Sequence, residues 1–161
     1  MKSLIVYFSL EGNTEYIAEK LAKDIEAATL KLVPKKTYHT SGFAKFFWGG
    51  KSAVMAEKPE LEPYEVADDY DEIIIGFPVW AGNITPPIRT FVAENEGFLK
   101  DKRISAFACQ SGAGAEKAFA KLKGILGIDD FYATTIFIDP KDKPSDDNAR
   151  TLDSFTKSLQ E

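Results

Sequence analysis

The chain has 161 residues, a formal net charge of −5, and a composition that is 44% hydrophobic and 28% charged. These values are ordinary for a globular protein, and the length suits a single domain spanning residues 1–161. The acidic balance disfavours nucleic acid as a partner, because a phosphate backbone is repelled by negative surface. The single cysteine, Cys109, excludes an intramolecular disulfide and a thiolate metal cluster.

The first apolar segment, residues 4–8, runs into a polar loop that contains Gly12. It is too short for a signal-peptide core or a membrane span, so we expect a cytoplasmic protein with no membrane partner. His39 is the sole histidine, and no other metal-ligating residue lies at a suitable spacing from it. We therefore predict no metal site.

Short apolar runs alternate with longer amphipathic segments along the chain. The runs predict strands at residues 4–8, 29–33, 72–77, 104–109 and 131–138. Helical periodicity predicts one helix beginning at Thr14 and others spanning residues 86–95, 116–126 and 145–159. In the helix at residues 116–126, Ile125 is expected to face inward. A long connection, residues 34–70, separates strands two and three, and a helix is expected within it around residues 43–55.

This alternation is typical of an α/β fold in three α/β/α layers, with a five-stranded parallel sheet between helices. Right-handed crossovers leave few topologies, one of which is the strand order 2-1-3-4-5. In such sheets ligands bind beyond the carboxyl ends of the strands, near the switch point between strands one and three. The loops of interest are then residues 9–14, 77–85 and 109–115.

The first loop joins a buried strand to a helix start, so backbone N–H groups and a positive helix end point at one place. Ser9, Asn13 and Thr14 add short polar side chains, and Gly12 permits close backbone approach. The loop contains no Lys or Arg, which excludes a nucleoside-triphosphate loop and favours a terminal phosphate monoester. The alternative is a plain turn in which Thr14 only caps the helix.

The second loop follows the triplet at residues 73–75 and combines Trp80 with Gly82. Trp80 can offer flat apolar area, and the backbone at residues 81–83 can hydrogen-bond the edge of a ring. These features suit a flat aromatic ligand. The alternative is a core tryptophan beside a helix cap at Thr85.

The third loop is rich in glycine and offers Gln110, Ser111 and backbone N–H groups. Cys109 is not expected to be a nucleophile, because the Cys-x5-Arg signature of low-molecular-weight tyrosine phosphatases would need arginine where Ala115 stands. A receiver domain is also excluded, because it needs acidic residues after strand one and an aspartate after strand three. Those places hold Ser9 and Phe77.

Together the three loops resemble those of the flavodoxin family. Ser9, Gly12 and Thr14 fall on its Ser/Thr-x-x-Gly-x-Thr phosphate loop, and residues 76–87 are similar to the Gly-x-Pro-x-Trp and Pro-Pro segment of a bacterial branch. The resemblance implies one noncovalent FMN and a role in low-potential electron transfer, with no catalytic residue. It implies that Glu11 acts only through its backbone, and that the cofactor contacts are Ser9, Leu10, Glu11, Gly12, Asn13, Thr14, Pro78, Val79, Trp80, Ala81, Gly82, Asn83, Cys109, Gln110, Ser111, Gly112 and Gly114.

One departure from the family leaves the function open. Many flavodoxins place an aromatic residue in the third loop, and residues 109–115 contain none. One face of the flavin would then be open, or covered by the aromatic-rich segment at residues 43–48. The chain would be either a carrier between redox partner proteins or an FMN-dependent oxidoreductase that uses NAD(P)H and a small acceptor such as a quinone. A related domain without flavin is the third alternative.

A run of acidic residues, 68–72, precedes strand three. Its position is at the amino edge of the predicted sheet, away from the loops that carry chemistry. We expect it to form a solvated face.

Overall fold

The computed structural model describes residues 1–38 and 51–161. In these ranges the strands are β1 Ser3–Tyr7, β2 Ala28–Lys31, β3 Glu72–Pro78, β4 Arg103–Gln110 and β5 Thr134–Ile138. The helices are α1 Asn13–Ile25, α2 Pro86–Glu94, α3 Glu96–Leu99, α4 Ala115–Leu126 and α5 Asp146–Gln160. None of the described helices is both long and apolar enough to cross a bilayer.

The strands form a single sheet in the order β2-β1-β3-β4-β5, and all neighbouring pairs are parallel. This confirms the predicted fold class and strand order. Because the strands are parallel and in register, with Tyr7 beside Gly76 and Phe77 beside Ala108, the carboxyl ends of β1, β3 and β4 lie at one edge. The loops that follow these strands therefore start next to one another.

Helices cover both faces of the sheet. Ile17 and Leu21 of α1 pack with Phe155 of α5 against one face, whereas Phe91 of α2 and Leu122 of α4 pack against the other. Both β1 and most of β3 are buried, as expected of strands sandwiched between helix layers. The hydrophobic core thus lies on both sides of the central strands.

A glycine in β3 makes room for an aromatic ring of β4. A Cβ atom added to Gly76 would lie 2.3 Å from the ring of Phe107, its neighbour in register. No real Cβ approaches another atom this closely, so any side chain at position 76 would displace the ring. This pair keeps β3 and β4 tightly packed below the loops.

The amino edge differs from the sequence expectation at one residue. Glu72, expected on a solvated face, is 1% exposed. Its carboxylate accepts hydrogen bonds from Ser3 Oγ at 2.9 Å, Arg103 Nε at 3.1 Å and Ser105 Oγ at 3.3 Å. Arg103 also donates from Nη2 to the carbonyl of Leu159 at 2.6 Å. A buried carboxylate is retained here because three donors replace its water.

Other differences are local. β2 ends at Lys31 and β5 begins only at Thr134, so both edge strands are shorter than predicted. Ile125, expected to face inward, is 36% exposed because it lies in the last turn of α4. Residues 51–54 are helical, in agreement with part of the helix expected in the long connection. His39 and the segment 43–48 lie outside the described residues.

Candidate functional site

The three loops converge on a cleft of about 420 Å³ at the carboxyl edge of the sheet. This size lies within the range typical of ligand-binding pockets. All but four of the residues singled out from the sequence line it, and the structure adds Ala113, Asp139 and Asp142. The lining residues are Ser9, Leu10, Glu11, Asn13, Thr14, Pro78, Val79, Trp80, Ala81, Cys109, Gln110, Ser111, Gly112, Ala113, Asp139 and Asp142.

The first loop ends in a turn that exposes the start of α1 to the cleft. Gly12 has a φ of 99°, a conformation that favours glycine. Ser9 Oγ accepts the N–H of Glu15 at 3.2 Å, whereas the N–H groups of Asn13 and Thr14 precede any intrahelical acceptor, as at every helix start. Glu11 is exposed, as expected for a carboxylate beside an anion site.

Thr14 provides the clearest sign that a ligand belongs here. Its side chain lines the cleft and the residue is only 1% exposed. Among the described residues its hydroxyl has no nitrogen or oxygen partner, and the nearby thiol of Cys109 is only a weak one. A buried hydroxyl without a partner costs free energy, which an acceptor in the cleft would recover.

A fourth loop, residues 139–142 after β5, closes the cleft beside α1. Asn13 Oδ1 accepts the N–H groups of Lys141 at 2.8 Å and Asp142 at 3.3 Å, and Asn13 Nδ2 donates to Asp142 at 2.9 Å. Asp139 is 7% exposed and accepts a hydrogen bond from Ser111 Oγ at 2.6 Å. The Asn13 side chain therefore holds this loop in place instead of pointing freely at a ligand.

Lys141 of this loop brings a positive charge to the first loop. Its Nζ lies 2.6 Å from the position that a Cβ on Gly12 would occupy. The sequence shows no cation within residues 9–14, and this one comes from about 130 positions away along the chain. Because β5 is parallel to β4, its carboxyl end reaches the same edge of the sheet. That topology is the signal from which the loop could have been found.

The second loop is a tight two-residue turn. Trp80 and Asn83 exchange backbone hydrogen bonds at 3.1 and 2.9 Å, and Ala81 and Gly82 between them have φ values of 50° and 68°. Positive φ at both central positions is the pattern of a type I′ turn. Asn83 donates from Nδ2 to the carbonyl of Ala81 at 2.8 Å and accepts from Lys121 Nζ. Gly82 and Asn83 thus shape the turn and do not line the cleft.

Trp80 forms an apolar wall of the cleft and is held by other aromatic rings. The ring centroids of Phe8 and Tyr38 lie 5.6 and 5.0 Å from that of Trp80, both in edge-to-face arrangements. Such contacts fix a large flat side chain at a defined angle. The wall is therefore largely formed before any ligand binds.

The second and third loops touch. Gly114 has a φ of 108°, and a Cβ added to it would lie 2.9 Å from Cα of Gly82. Gln110 Oε1 accepts the N–H of Ala115 at 3.0 Å, so this side chain caps the start of α4. Gly12 and Gly114, like Gly82 and Asn83, set the shape of the loops without lining the cleft.

Cys109 is a buried thiol and not an activated one. The residue is 4% exposed, and burial is the main reason that its pKa rises to about 12, with a smaller contribution from the Asp139 carboxylate. The nearby Thr14 hydroxyl acts in the opposite direction. A thiol with such a pKa carries no nucleophilic thiolate at neutral pH.

A family model described as flavodoxin matches residues 2–130 of this chain. The chain belongs to the flavodoxin family. The match begins just before β1 and includes the three loops named from the sequence. The cleft of this flavodoxin is therefore formed by the matched region together with the fourth loop, which lies beyond it.

Solved structures share the whole flavodoxin fold. A flavoprotein from Lactobacillus acidophilus NCFM in complex with FMN is 19% identical, with a TM-score of 0.75 over 96% of this chain and 98% of that one. The two-electron reduced flavodoxin of Megasphaera elsdenii is 18% identical, with a TM-score of 0.59 over 97% and 96%. An NADH:FMN oxidoreductase in its apo form is 13% identical, with a TM-score of 0.62 over 99% and 90%.

Proposed function

We propose that this flavodoxin binds one FMN noncovalently in the four-loop cleft and transfers electrons at low potential between redox partner proteins. The observation that carries the proposal is the buried hydroxyl of Thr14 at the start of α1, in a residue that lines the cleft. Among the described residues it has no nitrogen or oxygen partner and only the weakly accepting thiol of Cys109 nearby. Family membership and the FMN bound by the Lactobacillus flavoprotein support the same ligand. FMN itself supplies the redox chemistry, and the residues below position it and tune it.

The phosphate of FMN fits the first loop. The free N–H groups at the start of α1 and the hydroxyls of Ser9 and Thr14 are donors, and a phosphate monoester offers only acceptors. Lys141 adds a cation at Gly12. These groups explain how an acidic protein can hold an anion at one place.

The ring of the flavin fits the opposite end of the cleft. Trp80 and Val79 provide apolar surface, and residues 109–113 provide backbone groups and the side chain of Ser111. A flat ring with polar edges needs both kinds of contact.

Asp139 would tune the bound cofactor. Its carboxylate lines the cleft and is nearly buried, so a second negative charge developing nearby would be disfavoured. The ion pair that Asp139 forms with the exposed Lys143, at 3.4 Å, would offset this effect only in part.

The test compares FMN with riboflavin, which lacks the phosphate. Fluorescence titration of the apoprotein should show FMN binding at least tenfold more tightly than riboflavin. The double variant Ser9→Ala, Thr14→Val should lose most of that difference and should keep its riboflavin affinity. Equal affinity of the native chain for the two ligands would contradict the phosphate site. A chain that binds neither would be the flavin-free domain, and the proposal would be wrong.

A second candidate is an FMN-dependent oxidoreductase that uses NAD(P)H and a quinone-type acceptor. It is favoured by the third loop, whose residues 109–115 contain no aromatic side chain to cover the ring. Turnover of NAD(P)H with a quinone by the purified protein alone would select the enzyme. Stepwise reduction in two well-separated one-electron stages, with no such turnover, would select the carrier.

A further inference from the structure

Three cations gather where α2 and α4 pack together beside the second loop. Lys117 and Lys121 lie one turn apart on α4, and Arg89 lies on α2. Burial and, to a smaller extent, the positive charges of Lys117 and Arg89 lower the pKa of Lys121. Because α2 and α4 are in contact, the three residues form one positively charged group, which is called the basic cluster below.

No carboxylate within residues 1–38 and 51–161 pairs with the basic cluster. Among the residues that the structure describes, none of the three forms an ion pair, and the side chain that receives Lys121 is the neutral amide of Asn83. Arg89 Nε is buried and has no hydrogen-bond partner among the described residues. Three adjacent cations without an anion are unusual in a chain whose net charge is −5.

The cluster adjoins the proposed flavin site. Lys117 Cδ lies 3.3 Å from the position of a Cβ on Gly82, and Lys121 binds the side chain of Asn83. Ala81, the other central residue of this turn, lines the cleft. An anion held by the cluster would thus lie just outside the rim of the cleft, on the far side of a single turn of backbone.

We propose that Arg89, Lys117 and Lys121 bind the phosphate groups of a nicotinamide dinucleotide whose nicotinamide end reaches into the cleft. A phosphate offers several acceptors in a small volume, and the guanidinium of arginine can bind two of them at once. The part of the proposal that concerns phosphate stands on the cluster alone. The part that concerns the nicotinamide rests on the proposed FMN site and belongs to the second candidate function, the FMN-dependent oxidoreductase.

A protein partner fits this place less well. A stable protein interface needs an apolar centre surrounded by a polar rim. Of the large apolar side chains that are exposed in the described ranges, only Ile125 shares a helix with the cluster, and the others are Met1, Val33, Val54, Met55, Tyr132 and Ile138. The cations are compact and lack such a centre, which favours a small anion.

The experiment titrates ADP, which represents the phosphate-bearing half of the dinucleotide, into the FMN-loaded protein and into the apoprotein by calorimetry. We expect saturable binding to both. Arg89→Gln and Lys117→Gln should each weaken it about tenfold, because each removes a charge-assisted hydrogen bond. Lys123→Gln is the matched control, since it removes a cation from another face of the same helix. It should leave ADP binding unchanged.

Three results would overturn the proposal: no ADP binding, equal ADP binding by all variants, or ADP binding no tighter than that of inorganic phosphate. Displacement of ADP by a polyglutamate peptide of higher affinity would assign the cluster to an acidic protein instead. If the native chain fails to bind FMN, the proposed function is wrong, and the ADP titration of the apoprotein still decides whether the cluster binds phosphate.

In the loaded protein, Lys117→Gln should raise the NAD(P)H concentration that gives half-maximal flavin reduction about tenfold, with the limiting rate unchanged.

Discussion

Lys141 lies beside the first loop, so changing it tests the proposed phosphate site separately from the proposed ring site. Its ammonium group lies over Gly12, and it is exposed, so its contribution is partly screened by water. We expect Lys141→Gln to weaken FMN binding about three- to tenfold and to leave riboflavin binding unchanged. The FMN affinity of the variant should also depend less on salt concentration than that of the native chain.

The matched control for this change is Lys157→Gln, which removes an exposed lysine from α5. The control should bind FMN like the native chain. If both variants lose FMN affinity equally, the loss comes from the change in net charge, and Lys141 does not contact the phosphate.

Cys109 gives a pH dependence whose sign follows from its environment. The pKa of the thiol rises from 9.0 to about 12 in the folded chain, mainly through burial, so the unfolded state releases its proton first as pH rises. The stabilising contribution of the neutral thiol is complete below pH 9 and is lost between about pH 9 and 12. Urea unfolding at pH 7 and pH 10 should show a larger loss of stability in the native chain than in Cys109→Ala.

The same burial predicts chemical inertness. At pH 8 the folded protein should react with iodoacetamide only as fast as it unfolds. Rapid alkylation of the folded protein would show that the thiol is accessible and would contradict the buried environment described above.

At the scale of loops and helices, Gly114 controls how the second and third loops meet. Its φ of 108° is unfavourable for other residues, and a Cβ would press against Gly82. We expect Gly114→Ala to lower the free energy of unfolding by about 1–3 kcal/mol and to weaken FMN binding, because the two loops would separate. Chemical denaturation and FMN titration measure the two effects.

Gly112 of the same loop is the control for this prediction. A Cβ at Gly112 would meet nothing within 4 Å, so Gly112→Ala should change stability by less than about 0.5 kcal/mol. A similar loss in both variants would show that the loop responds to any added side chain, and not to the contact with Gly82.

The first three loops could be predicted from the sequence because each follows directly from a buried strand, and each carries glycines and short polar residues. The fourth loop could not be predicted in the same way. Asp139 and Asp142 belong to a charged segment whose composition is typical of a solvated turn. Strand β5 carries this segment to the carboxyl edge of the sheet, and the hydrogen bonds of Asn13 and Ser111 hold it at the cleft. Local composition reveals a loop that binds through its own backbone. It does not reveal a loop recruited by side chains that are distant in the chain.

Strand boundaries also depend on contacts that local sequence composition does not reveal. The central strands, buried on both faces, are recognised from continuous apolar runs, whereas the edge strands lose residues at their ends because each has one neighbour only. The burial of Glu72 differs from the expected solvated face because its partners, Ser3 and Arg103, come from two other strands. The burial of a charge depends on such pairing, which a local pattern does not contain.

At the scale of the whole molecule, the two edges of the sheet carry different groups, one buried for stability and one lining the cleft. The amino edge holds the buried carboxylate of Glu72, and the carboxyl edge holds the cleft. We expect Glu72→Ala to lower the free energy of unfolding by about 3 kcal/mol, because it leaves Arg103, Ser3 and Ser105 without their acceptor. The FMN affinity of the folded fraction should stay within twofold of the native value. A large loss of affinity at temperatures where the variant is fully folded would show that the two edges are coupled.

The bond from Arg103 to the carbonyl of Leu159 also fixes where the end of α5 lies, close to the start of β1. Both Met1 and Glu161 are therefore near the pole of the molecule that faces away from the cleft. A linker attached at either terminus would leave the mouth of the cleft unobstructed. Attachment through residue 1 or residue 161, for example to an electrode, would keep the cleft facing solution.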